Sequence, residues 1–267
     1  MRLERRWLDE LTWPDVESYL AGDPRRVIVP LGATENHGPH APLGTDTIIA
    51  RAVAARLAVH LDALAAPVLP FGHSPHHLAF PGTVSWSNRL VADALVATST
   101  DLVRHGFETV VFYSGHGGNK LAIDLAAGEL ADRFPQVRVV HAHQLAVQTS
   151  PDFRDRVAHA LGRPLTGLWG AHGGEQETAA VLAERPELVR VDRFPTPPEI
   201  DAYLTRTRDP AVTMIERDLR SHAPQGTWGH PDRADAEQGT AFLDHVASEL
   251  AERVLALLRT DEEDPTT

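Results

Sequence analysis

None of the 267 residues is a cysteine. Disulfides, thiolate metal ligands and cysteine nucleophiles are therefore excluded. Long apolar runs are missing too: nothing approaches the roughly 18 consecutive apolar residues of a membrane-spanning helix. The opening MRLERRWLDELTW carries positive charge without an apolar run behind it, so no secretory signal is expected and a cytoplasmic protein without membrane partners is. Basic charge is scarce, with 25 Lys and Arg against 37 Asp and Glu and a formal net charge of -12. A nucleic acid held against a basic surface is not expected.

What is present suits a packed globular core, 42% hydrophobic and 23% charged. The unusual count is histidine, at 15. With no thiolate available, any transition metal must be held by imidazole and carboxylate.

Short apolar runs alternate with longer stretches of helical period. RVIVPLG (26–32), AAPVLPF (65–71), TVVFYSG (109–115) and QVRVVHA (136–142) read as strands. TDTIIARAVAARLAVHL (45–61), Asn88 to His105, LAIDLAAGELADRF (121–134), Gly174 to Glu184 and Ala234 to Leu258 read as helices. The rhythm predicts an α/β fold, a mostly parallel sheet covered by helices on both faces. The pattern weakens between about 151 and 170. Residues 195–232, rich in Pro, Thr and charge, read as a long surface excursion, and 260–267 as a frayed tail. No repeat or linker divides the chain, so residues 1–267 are expected to form a single domain.

Three polar clusters follow strands. ENHGPHAPLGTD runs from Glu35 to Asp46, HSPHHLAFPGT from His73 to Thr83, and SGHGGN from Ser114 to Asn119. Ligands of open parallel sheets sit outside the carboxyl ends of the strands, so the three should gather at one edge. Glu35 and His37, two apart, would share a side of an extended chain. Asp46 would open the next helix, with Thr45 as a candidate cap. The segment fits one half of a metal site or a decorated capping turn. SGHGGN lacks the GK[ST] ending of a phosphate loop. Its glycines either clear space around His116 or simply form a tight turn. Among His73, His76 and His77, the last is read as a substrate-facing residue. LWGAHGGEQET (168–178) sets His172 and Glu177 on either side of a helix start, where an acidic first turn also suits the helix dipole. Trp169 is either core or one wall of a pocket for a flat substrate.

E-x-H-G-P-H-x-P-L-G-T-D (35–46), F-P-G-T (80–83), G-H-G-G-N (115–119) and H-G-G-E-x-E-T (172–178), in that order, resemble the creatininase (creatinine amidohydrolase) family and its GHGGN branch. The resemblance covers roughly residues 8–190. It implies a three-layer α/β/α sandwich and two divalent ions, zinc, manganese or iron. It places Glu35 and His116 on one ion, His37 on the other and Asp46 between them. Creatininase itself supplies a glutamate two residues after the GH histidine. Here that residue is Gly118, and Glu177 is the expected replacement. His172 matches the family's proton shuttle, with Glu175 as a possible assistant. Trp169, His77 and Gly117 are candidate substrate contacts. The implied activity is hydrolysis of a non-peptide C–N bond in a small cyclic amide or formamide by a metal-activated water. The family also holds the peptidase of mycofactocin maturation, so trimming of a small precursor peptide is the alternative. A third reading, without turnover, is a metal- or ligand-binding protein. A homo-oligomer, a hexamer built as a trimer of dimers, is implied as well.

Overall fold

The computed structural model describes residues 6–148, 150–163, 172–195 and 218–263. Trp169 and most of the 195–232 segment lie outside them. The strands are β1 (Arg26–Leu31), β2 (Leu64–Ala65), β3 (Thr109–Ser114) and β4 (Arg138–Ala142), all parallel and ordered β2-β1-β3-β4. The helices are α1 (Trp13–Leu20), α2 (Thr45–His60), α3 (Asn88–Arg104), α4 (Lys120–Arg133), α5 (Gln144–Gln148), α6 (Pro151–Leu161), α7 (Glu175–Glu184) and α8 (Ala236–Glu263).

The pleat sorts alternate strand residues to opposite faces. Val27, Val29, Leu31, Val110 and Phe112 pack with Val91 and Leu95 of α3 and Ile123 of α4. Ile28, Val111, Tyr113, Val140 and Ala142 pack on the other face with Ile49 and Val53 of α2 and Phe242 and Val246 of α8. Strands buried on both faces are apolar throughout, which is why they read as continuous runs. Each fully buried side chain of this size contributes about 1.5–3 kcal/mol. Truncating Phe112 to alanine would cost about 3–5 kcal/mol.

Local chemistry sets the helix starts. The Ser87 hydroxyl accepts the Leu90 N–H at the start of α3. Thr12 and Asp15 form a capping box on α1, with Pro14 in the first turn. At α2 the N-cap is Gly44 rather than the expected Thr45. The Thr45 hydroxyl instead donates to the Pro42 carbonyl at 2.8 Å, bracing the loop that delivers Asp46.

Several expectations need revision. The second strand shrinks to two residues, because Pro67 and Pro70 have no N–H to give the ladder. The chain still follows β1 as far as the Leu31–Leu69 bridge. The weak stretch after 151 contains α6, which opens on a proline and ends on left-handed Gly162. Its apolar stripe is thin: Phe153, Val157 and Leu161 are its large apolar residues outside the polar positions. Helix α8 continues to Glu263, into the expected tail. The described part of the excursion, 218–232, is not confined to the surface. It buries Leu219, Ala223 and Thr227 and pairs Trp228 with His172. No helix among the described residues is long and apolar enough to cross a membrane.

Candidate metal centre

The three clusters meet at the carboxyl edge of the sheet. The chain leaving β1 brings Glu35 and His37, the first turn of α2 brings Asp46, and the exit from β3 brings His116. Helix α7 and the residues before it add Glu177 and His172. Asn119 fastens the loops together: its amide donates to the Gly32 carbonyl at 2.9 Å and its Oδ1 accepts the His73 N–H at 2.9 Å.

Asp46 is central. Its Oδ1 lies 3.3 Å from His37 Nε2 and its Oδ2 lies 3.2 Å from His116 Nδ1. Glu35 Oε1 is 3.4 Å from His116 Nδ1, 3.4 Å from His77 Nε2 and 3.8 Å from His172 Nδ1. Glu177 Oε2 is 3.7 Å from His37 Nε2. Ligands held at about 2.0–2.2 Å from one ion stand roughly 3 Å apart, so these separations suit shared cations. Three overlapping groups follow: Glu35, Asp46 and His116; His37, His172 and Glu177; and Glu35, His77 and His172, each with ligand atoms within 4.8 Å of one another.

Both oxygens of Glu35, Nε2 of His37 and Oδ2 of Asp46 are buried without a hydrogen-bond partner. Unsatisfied buried carboxylate oxygens are costly, and several converging on one spot are the donor set of a divalent cation. The opposite ring nitrogens are held. His37 Nδ1 is 3.2 Å from the Glu35 carbonyl, His116 Nε2 is 3.0 Å from the His73 carbonyl, and His172 Nε2 is 2.6 Å from the Asn36 carbonyl. Donating there orients each ring and leaves the inward nitrogen free to ligate.

Charges in the cluster are strongly displaced. Burial pushes the Glu35 carboxyl up to about 7 against the pull of His116. Burial also raises Glu177. For His37 burial works downward, yet Asp46, Glu177 and Glu35 lift it to about 10. His116 is likewise opposed by burial and lifted by Glu35 and Asp46 to about 9. Asp46, although buried, is held far below the usual carboxylate range by those two histidines. Without cations, protons on His37 and His116 balance the carboxylates; cations would take their place. Burial drives His172 well down, and His77 to about 2, so both are neutral imidazoles.

Not every expected residue joins this group. Glu175 turns away: its Oε1 accepts the Gln238 amide at 2.6 Å, tying α7 to α8. Gly117 stands in the short turn Gly117–Asn119, where an added Cβ would come within 2.8 Å of Leu145 Cδ1. His40 is buried against the Thr178 hydroxyl at 2.9 Å, apart from the cluster. A Cβ on Gly118 would collide with His116 Nε2 and the His73 carbonyl, so a side chain there would require the loop to shift. Glu177 reaches His37 instead, steadied by the Gly173 N–H at 2.6 Å. Sequence reasoning passed over Asn36, whose amide nitrogen meets His77 Nδ1 at 3.4 Å and donates to the Gly226 carbonyl at 3.0 Å. Its place between the two metal-ligand candidates Glu35 and His37 was the available signal.

A family model described as creatininase, creatinine amidohydrolase, matches residues 9–254. The chain is 29% identical over 262 residues to a creatinine amidohydrolase of Pseudomonas putida, covering 93% of this chain and 95% of that protein. It is 37% identical over 254 residues to a mycofactocin precursor peptide peptidase of Mycobacterium tuberculosis, covering 89% and 87% respectively. Among solved structures, a mutant creatininase of zinc–zinc type and a manganese creatininase each superpose with a TM-score of 0.76 at 26% identity, covering 98% of this chain and 100% of theirs.

Proposed function

The chain belongs to the creatininase family, and we propose that this hydrolase is a dinuclear metal-dependent amidohydrolase acting on a non-peptide C–N bond of a small cyclic amide or formamide. The observation that carries the reading is the convergence of partnerless buried atoms from Glu35, His37 and Asp46. Glu35 and His116 would hold one ion and His37 and Glu177 the other, with one oxygen of Asp46 facing each histidine. The relatives' zinc and manganese forms make those metals, with iron, the first to test. Two bound divalent ions supply a water acidic enough to be hydroxide near neutral pH and polarise the scissile carbonyl.

The remaining work falls to this chain's side chains. His172 donates from Nε2 to Asn36, so its Nδ1 is free to take a proton and pass it to the departing nitrogen. His77 borders the same space, with its ring 4.3 Å from that of His172. The segment returning through Gly226 and Trp228 fastens to Asn36 and His172, through the Gly226 carbonyl and the His172–Trp228 bridge. Glu175, by its bond to Gln238, supports the helix rather than the proton transfer.

The test is metal content by inductively coupled plasma mass spectrometry, alongside turnover of cyclic amides and formamides. About two ions per chain that depend on Asp46, lost together with turnover in Asp46→Ala, is the expected result. Full hydrolysis by metal-replete Asp46→Ala would sink the mechanism. The higher identity to the mycofactocin peptidase favours a second reading, cleavage of a C–N bond in a short precursor peptide. Mass spectrometry of short peptides incubated with the enzyme separates the two: shortened peptides with untouched cyclic amides would replace the first reading by the second. A homo-oligomer belongs to the same proposal and is read by light scattering.

A further inference from the structure

A second group of histidines and carboxylate lies apart from the buried centre. Val139 of β4 packs toward α3 and α4, and His141 and His143 follow it at two-residue intervals. They come up beside Asp124 of α4. His141 Nδ1 is 2.8 Å from Asp124 Oδ1, and His143 Nε2 is 4.0 Å from the same oxygen. The two imidazole centroids are 3.4 Å apart and tilted by 32°. All three ligand atoms lie within 4.8 Å of one another.

We propose that Asp124, His141 and His143 form a third divalent-metal site, of the zinc class, at the carboxyl end of β4. A tetrahedral zinc with bonds of about 2.0–2.1 Å separates its ligands by roughly 3.3 Å. Edges of 2.8 and 4.0 Å bracket that value, so small side-chain rotations suffice. A plain His–Asp hydrogen bond accounts for His141 alone. It leaves His143 Nε2 4.0 Å from the same oxygen, beyond hydrogen-bond reach, and an ion would close that gap. Lys120 pairs with Oδ2 of Asp124, leaving Oδ1 for the metal. His143 and Asp124 are partly open to solvent, which gives an ion a path in and leaves a coordination position for water.

The experiment is equilibrium dialysis of the full chain against zinc, with ions counted per chain by inductively coupled plasma mass spectrometry. Wild type should hold about three ions, and His143→Ala and Asp124→Asn about two, each with an unchanged melting temperature. Three ions persisting in both variants, or a wild type that saturates at the same number as His143→Ala, overturns the site. An Asp46→Ala background separates this proposal from the buried centre. There a single ion that His143→Ala removes supports the outer site, and no ion at all overturns it while leaving the dinuclear reading intact. If wild type itself held one His143-dependent ion and no other, the dinuclear reading would fall and the outer site would stand.

Discussion

Asp46 and Asp124 each stand between two histidines, Asp46 with 2% of its side chain exposed and Asp124 with 42%. Burial by itself disfavours a charged imidazole at both places. Around Asp46 the outcome is nevertheless upward, because Glu35 and Glu177 add to its charge and drive His37 and His116 to about 10 and about 9. Around Asp124 there is one carboxylate, already shared with Lys120, and His141 falls to about 4. Neighbouring carboxylates and burial set the direction together: His77 and His172, also beside Glu35 but buried among other histidines, fall as His141 does.

Removing each aspartate is the sharpest way to break that comparison. Asp46→Ala is expected to have the largest effect, abolishing metal binding in the buried centre and hydrolysis together, whereas Asp124→Asn should leave hydrolysis at the wild-type rate. Next comes His172→Ala, expected to lower kcat by about 10²–10⁴-fold with the metal content of the buried centre retained. Loss of metal in parallel with rate would make His172 a ligand rather than a shuttle. Gly118→Ala, which presses on His116, should weaken metal binding by roughly 10–100-fold in a chelator-competition assay. Wild-type affinity in that assay would mean the loop yields.

The two clusters should also respond differently to pH. In the buried one, ions must displace protons held with values of about 10 and about 9, so affinity should climb from pH 6 to pH 9 and release protons on binding. In the outer one His141, at about 4, is deprotonated long before neutrality, so affinity there should be nearly flat over the same range. Calorimetry in buffers of different ionisation enthalpy reads the protons, and equal release from both sites would refute the contrast. The smallest effect expected is on stability: Asp124 is itself 42% exposed, so Asp124→Asn should change unfolding free energy by less than about 1 kcal/mol in a denaturant titration.

The strands at 26–31 and 109–114 were legible because a strand covered on both faces is almost wholly apolar, and 138–142, which is half-buried and carries Arg138 and His141, by its β-branched Val139 and Val140. Helix α6 was not, since its thin stripe of Phe153, Val157 and Leu161 is diluted by charge. Glu175 and Glu177 show the same limit within the site. Residues two positions apart on a helix are separated by about 200°, so only one of the pair can face the cluster. Which one depends on the phase at which α7 begins. The structure begins it at Glu175, sends that carboxylate to Gln238 and turns Glu177 toward His37.

By itself, then, the sequence determined the donor chemistry and the layout of the chain. With no thiolate, the ligands could be only imidazole and carboxylate, and the alternation of apolar runs with helical stretches set those side chains at strand exits. Both follow from residue type and local period. The tertiary structure decided the partners: His37 with Glu177, Asn36 with Gly226, and Asp124 with the two histidines after β4. It also decided the direction in which each imidazole and carboxyl titrates. These depend on separations of a few ångströms between segments far apart in the chain, and on the water that packing excludes, which no local pattern encodes.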